Sequence, residues 1–287
     1  MNFASGIKEI LDITLPRQNK TVKQLVGEYI EYFSKNKKII MQGKVPKDPI
    51  QLAISYICSR SGRWVPVFEK ADTQLRKRKI MSLLKKRELK SFLNDVYGQR
   101  GRGYKGAERK ILQFLKALEG LSKELKLWSE SERLKRFKDK LEEILEEKAK
   151  IGKKGIDNLL RDCGFFDRVP IDIHEQRFLL RTGIFHKYAL RKKSDPTDHN
   201  HLADAMKNFC NEQLAELEIN GISLSDSPGI VDLIIWYFSQ EKTEKEISLG
   251  ICAKIPQCEK CPLRNACLFS KLHAGAEVSN ERGYWTE

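Results

Sequence analysis

Nowhere does the chain carry a run of about 18 apolar residues, so no stretch has the length and character of a membrane-spanning helix. Its opening, MNFASGIKEIL, lacks the apolar core of a secretory leader. A soluble, intracellular protein is therefore expected, without a membrane partner. Internal repeats and low-complexity tracts are absent, and no segment of the first half sustains the apolar–polar alternation of a half-buried strand. Heptads are not sustained either, which excludes a coiled coil. Cysteine is too sparse for the disulfide framework of a small secreted domain: there are seven in 287 residues, and four of them fall between positions 252 and 267. That crowding points to a metal or cluster site.

What the chain has in excess is positive charge. The formal balance is +14, which favours a polyanionic partner, nucleic acid before membrane, over a merely solvated lysine-rich surface. Helical spacing dominates the rest. Thr21 caps a pattern at Val22, Leu25, Val26, Tyr29, Ile30 and Phe33, and a basic loop is expected over Lys35–Lys47. Asp48-Pro49 opens a second helix over Ile50–Cys58, broken by Ser59–Arg63. Two or three helices fill Pro66–Val96, and QRGRGYK (99–105) reads as an inter-helix loop or a phosphate-contacting one. Periodicity resumes at Ile111, Phe114, Leu115 and Leu118, and Ser129 with Glu132 has the spacing of a capping box. Further helices are expected near His201–Leu217 and after Ser227-Pro228. The expected class is all-α.

The most informative stretch is Lys148–Arg177, KAKIGKKGIDNLLRDCGFFDRVPIDIHEQR. A short basic hairpin, KIGKK, leads into a helical run, Ile156–Cys163, with Gly164 as its C-cap. An extended segment, Arg168–Ile171, ends at Asp172. Lys154 and Asp172 are 18 residues apart, enough chain for a helix out and a strand of chain back, so a lysine and a carboxylate can face one pocket. Asp172 is equally placed to cap the helix that follows, and the two roles can coexist.

These residues resemble the helix-hairpin-helix superfamily of base-excision DNA glycosylases, particularly its endonuclease III branch. The family motif runs L-P-G-V-G-x-K, then about eighteen residues, then V-D-T-H-x-x-R. Ile151, Gly152, Lys153 and Lys154 match the first half, with Lys150 standing where the first hairpin glycine is expected. Ile171, Asp172, Ile173, His174 and Arg177 match the second half.

Cys252, Cys258, Cys261 and Cys267 form C-x5-C-x2-C-x5-C, four thiols within 16 residues. The donors suit a [4Fe–4S] cluster or a Zn²⁺ ion. The resemblance implies the cluster, because endonuclease III and the adenine-mismatch glycosylases carry C-x6-C-x2-C-x5-C downstream of the catalytic aspartate. Cys58, Cys163 and Cys210 lie within apolar helical patterns and read as core residues.

The resemblance spans about Asp48 to Cys267 and implies a two-domain, all-α fold. Residues 48–166 would be a six-helix barrel carrying the hairpin. Residues 1–47 and 167–287 would form a second helical domain closed by the cluster. It implies a monomer acting on double-stranded DNA that holds a damaged base or an abasic site. Lys154 would attack C1′ and form a Schiff base, while Asp172 would stabilise the positive charge that grows on the sugar. Lys150, Ile151, Gly152 and Lys153 would hold a backbone phosphate, with Gly152 permitting the tight turn. Arg60 or Ser61 would fill the gap left by the flipped nucleotide. Arg177 would contact the DNA backbone or brace its helix, and His174 would pack behind Asp172. A lysine at 154 implies a bifunctional glycosylase and lyase. Oxidised pyrimidines are the first expectation for the lesion. The wording NLLRDCGF…VPIDIH also resembles archaeal 8-oxoguanine glycosylases, which makes an oxidised purine the alternative. A non-catalytic, damage-sensing DNA binder of the same fold is the third reading.

Overall fold

Helix follows helix because apolar positions recur at helical spacing along most of the chain. A computed structural model of the chain describes residues 2–15, 17–59, 64–98, 103–189, 194–241 and 248–272. Asn2 caps α1 (Phe3–Asp12), its side chain accepting the Ser5 N–H at 2.9 Å. A two-residue ladder, β1 (Thr14–Leu15) against β2 (Lys20–Thr21), turns the chain. Thr21 and Gln24 then exchange reciprocal bonds of 2.8 and 3.1 Å at the start of α2 (Val22–Met41). The helices α3 (Lys47–Ser59), α4 (Trp64–Arg76), α5 (Lys86–Tyr97), α6 (Tyr104–Glu124), α7 (Glu130–Glu147) and α8 (Lys153–Asp162) follow, with a 3₁₀ turn at Ile80–Leu84. Next come α9 (Ile173–Thr182), α10 (Ile184–Tyr188) and α11 (His199–Gln213). A hairpin of β3 (Glu218–Ile219) and β4 (Ile222–Ser223) precedes α12 (Pro228–Ser239), and α13 (Leu268–Leu272) ends the described chain. The described residues are thus predominantly helical, and none of their helices is long and apolar enough to cross a membrane.

The chain divides into two compact units, Phe33–Phe165 and Met1–Tyr32 with Phe166–Glu287. Sequence reasoning put the boundaries at 47/48 and 166/167; the first lies earlier, inside α2. The basic loop expected over Lys35–Lys47 is helical as far as Met41. Ile40 is fully buried, and buried Asn36 donates to the Asp162 carbonyl at 2.6 Å. One face therefore stays inside while Lys35 and Lys38 point outward.

In the unit Phe33–Phe165, α3 packs on α4, α6 and α8, and α7 packs on α6 and α8. Ile54, Ile57, Phe92, Phe114, Phe137 and Leu160 lie in its core. At the start of α7 the Ser129 hydroxyl donates to the Glu132 carboxylate at 3.0 Å, so it does not cap the backbone as a capping box would. In the other unit, α9 lies against α10, α11, α12 and α13, with Phe178 edge-on to Phe238.

Candidate functional site

The turn between α7 and α8 is set by backbone geometry. Lys150 has φ 56°, a left-handed conformation that costs a side-chain-bearing residue about 1–2 kcal/mol and that glycine takes freely. Gly152, expected to permit the tight turn, has φ −77° and ψ 164°, an ordinary extended conformation. The unusual backbone thus falls on Lys150 and not on Gly152. Ile151 is buried, its N–H bound to the Leu145 carbonyl at 3.0 Å, so it offers a ligand its main chain only. Gly152 is the N-cap of α8 and supplies no side-chain cap, leaving the first-turn amides to be met from outside.

Lys154 stands exposed in that first turn. It lines a recess of about 290 Å³ with Tyr56, Ile151, Gly152, Lys153, Gly155 and Asn158. Gly155 is needed there because a β-carbon on it would come 2.6 Å from Ile151 Cγ2. Burial, with the Asp162 charge second, pushes the Tyr56 phenol above its ordinary range, so it meets the recess as a neutral hydroxyl. The expected phosphate contact Lys153 is instead engaged by Glu142 at 2.9 Å and Asp157 at 3.8 Å. On the same unit, Lys150 and Lys148 join Arg109, Lys110 and Lys116 along a groove of about 680 Å³, a strongly basic surface.

In the other unit, Asp172 is the N-cap of α9. Its Oδ1 accepts the His174 N–H at 2.6 Å, and Glu175 Oε2 accepts the Asp172 N–H at 2.9 Å, completing a capping box. Asp172 stays half-buried, whereas Glu175 is 1% exposed. His174 is half-buried behind the cap, with Nδ1 enclosed. Arg177 is 3% exposed and paired with Glu241 at 3.3 Å. Of its two expected roles, its burial fits bracing the helix and not a DNA contact. Arg60 and Ser61, the expected wedge, lie outside the described residues.

Cys252, Cys258, Cys261 and Cys267 are free thiols in the segment after α12, the first and last buried. Burial first and the neighbouring cysteines next raise Cys258, push Cys261 up to about 12 and push Cys267 up to about 11. Four thiols in one short segment are the donor type that iron–sulfur clusters use, and the buried Arg181 guanidinium lies 3.9 Å from Cys252 Sγ. Among the described residues no three His, Cys, Asp or Glu side chains are arranged to hold a metal ion.

Sequence reasoning did not single out Glu175, Arg181, Tyr56 or Asn158. A signal existed for the first, since Asp172-Ile-His-Glu175 has capping-box spacing; the others are placed by tertiary contacts alone. Compared with protein-family models, curated proteins and solved structures, the chain matches none.

Proposed function

We propose that the chain is a bifunctional DNA N-glycosylase and abasic-site lyase, which flips a damaged base from duplex DNA and excises it, an oxidised pyrimidine first. The fold in this proposal is the two-domain helix-hairpin-helix arrangement: a six-helix barrel built on α3–α8 and a helical domain closed by a [4Fe–4S] cluster. The observation that carries the reading is the α7–α8 turn. There Lys150 has taken the backbone of the motif's glycine, and Lys154 is presented on the first turn of α8 beside an open recess.

Each part has a task. The exposed amides of the first turn of α8 and the Lys150 charge hold one backbone phosphate, a contact independent of sequence and sensitive to salt. The groove lined by Lys110, Lys116 and Lys148 extends that attraction. The Lys154 amine attacks C1′; the bond to the base breaks, and loss of the ring oxygen bond leaves an imine. β-Elimination then releases the 3′ phosphate. Asp172 stabilises the positive charge that builds on the sugar as the base departs. Cys252, Cys258, Cys261 and Cys267 would hold the cluster, which when bound ties their loop into one rigid element. The protein is DNA-associated in this reading and acts as a monomer.

Borohydride trapping tests it, on duplexes carrying an abasic site, an oxidised pyrimidine or 8-oxoguanine. The expected result is a covalent adduct on the lesion strand that disappears in Lys154→Ala while duplex binding survives. An adduct on the 8-oxoguanine duplex alone reassigns the lesion to an oxidised purine. Adducts that persist in Lys154→Ala name another amine, and no adduct on any duplex leaves a DNA binder without catalysis.

A further inference from the structure

One buried acid has no task in that chemistry. Glu175 is 1% exposed on α9, and Asp232, on the neighbouring α12, is 3% exposed. Glu175 Oε2 accepts the Asp172 N–H at 2.9 Å, while its Oε1 is enclosed without a hydrogen-bond donor. A carboxyl this deep normally has every oxygen satisfied. We propose that Glu175 is a positioning residue for Asp172: its carboxyl, lodged beneath the helix start and beside Asp232, pins the main chain of Asp172 while itself uncharged. The inference rests on the reading of Asp172 as the carboxylate that meets the sugar.

The surroundings favour the uncharged form of Glu175. Burial, then the charge of Asp232, then contact with Asp172 push Glu175 well above the carboxylate range. The neutral acid has an O–H to offer its two neighbours, where a carboxylate would bury a third like charge. Arg177 pairs with Glu241 and Arg181 donates to the carbonyls of Cys252, Ala253 and Lys254. Among the described residues of the elements packed on α9, Asp232 is the ionisable group that acts on Glu175 most strongly. Asp172, half-exposed and accepting the His174 N–H, is the one of the three acids open to solvent.

The test uses the full-length protein with Glu175→Gln, Glu175→Ala and Asp232→Asn. Glu175 has a folded-state pKa above its unfolded one, near 4.3. Its contribution to stability is therefore complete below that unfolded value and is lost as pH rises toward the folded one. Urea unfolding from pH 5 to 8 should show the wild-type unfolding constant climbing by up to about tenfold per pH unit relative to Glu175→Gln, whose amide does not titrate. Asp232→Asn should narrow that window. In single-turnover excision on the lesion duplex, Glu175→Gln keeps an acceptor for the Asp172 N–H and should stay near wild type at neutral pH. Glu175→Ala should slow by about tenfold to a hundredfold without weaker duplex binding.

A stability difference between wild type and Glu175→Gln that is flat across pH 5–8 overturns the proposal. So does a folded Glu175→Ala variant that excises at the wild-type rate. If wild type itself excises nothing and traps nothing, the glycosylase reading fails and takes the role of Asp172 with it. An active wild type with an unaffected Glu175→Ala sinks only the role of Glu175.

Discussion

Arg181 reaches from the last turn of α9 to the main chain of Ala253, its Nη1 donating to that carbonyl at 2.6 Å. The same guanidinium donates to the Cys252 carbonyl at 3.4 Å and the Lys254 carbonyl at 2.8 Å, while Cys267 Sγ donates to the Arg181 carbonyl at 3.3 Å. One buried residue thus holds both ends of the cysteine loop, the first by its side chain and the last by its main-chain carbonyl. Arg181→Met keeps the stem but strands three carbonyls, which should cost about 3 kcal/mol and appear as a lower urea midpoint. Arg181→Lys should lose nearly as much, because one ammonium cannot span three acceptors as a planar guanidinium does. More of the four loop thiols should then react with a thiol reagent in the folded protein. Wild-type midpoints and thiol counts in Arg181→Met would mean that the loop holds itself.

Gly155 and Ile151 make a second close pair. Because an added β-carbon would meet Ile151 Cγ2 at 2.6 Å, Gly155→Ala must push the turn away from α8. We expect a loss of about 1–3 kcal/mol, typical of overpacking. Combining it with Ile151→Ala removes the clashing methyl, so the double variant should lose less than the two single losses added together. Strict additivity in a double-mutant cycle would show that the turn absorbs the methyl elsewhere.

Lys150→Gly separates backbone from charge. Relief of the left-handed conformation should raise stability by about 1 kcal/mol, reduced somewhat by the greater freedom of glycine in the unfolded chain. Removing one cation from the groove should at the same time weaken binding to an undamaged duplex and lower the salt slope by about one. Unfolding curves and binding titrations at several salt concentrations read the two effects independently. A variant that gains stability with an unchanged salt slope would place the phosphate contact elsewhere on the surface.

Much of the helical framework was legible because it rests on local rules. Asp172 caps α9 as its spacing suggested, and Gly164 closes α8 at φ 91° with the Phe165 N–H returning to the Leu160 carbonyl. The β3–β4 hairpin was overlooked although Asn220-Gly221 is a hairpin dipeptide, with φ 51° and 74°. Strands of two residues are too short to show alternation, so only the turn could have announced them. The length of α2 was misjudged because lysines at 35, 37 and 38 mask a face held by Asn36 and Ile40. Charge reports where water is, and a helix can be wet on one side. At the candidate site, Lys154 and the cysteines stand out by type and spacing alone. The pairing of Lys153 with Glu142, the burial of Arg177 and the reach of Arg181 depend on contacts distant in sequence, and no spacing encodes them.

The three remaining cysteines offer a test of packing that needs no DNA. Cys58, Cys163 and Cys210 are all fully buried in helical cores. Burial pushes the Cys58 thiol up to about 12 and raises Cys163 and Cys210 strongly as well. Alkylation needs the thiolate, and a group with so high a pKa is ionised at pH 8 to only about one part in ten thousand. An alkylating reagent at pH 8 should therefore leave all three unmodified in the folded protein and label them rapidly in concentrated urea, as peptide mass spectrometry would show. Cys58 is the most telling of the three, since its carbonyl accepts the Tyr97 hydroxyl at 2.5 Å and so ties α3 to α5. Tyr97→Phe removes that bond and leaves the ring, and it should raise Cys58 labelling while Cys210, in the other unit, stays protected. Equal labelling of both would mean that reagent enters through global unfolding, and that the bond between α3 and α5 does not set the local stability around Cys58.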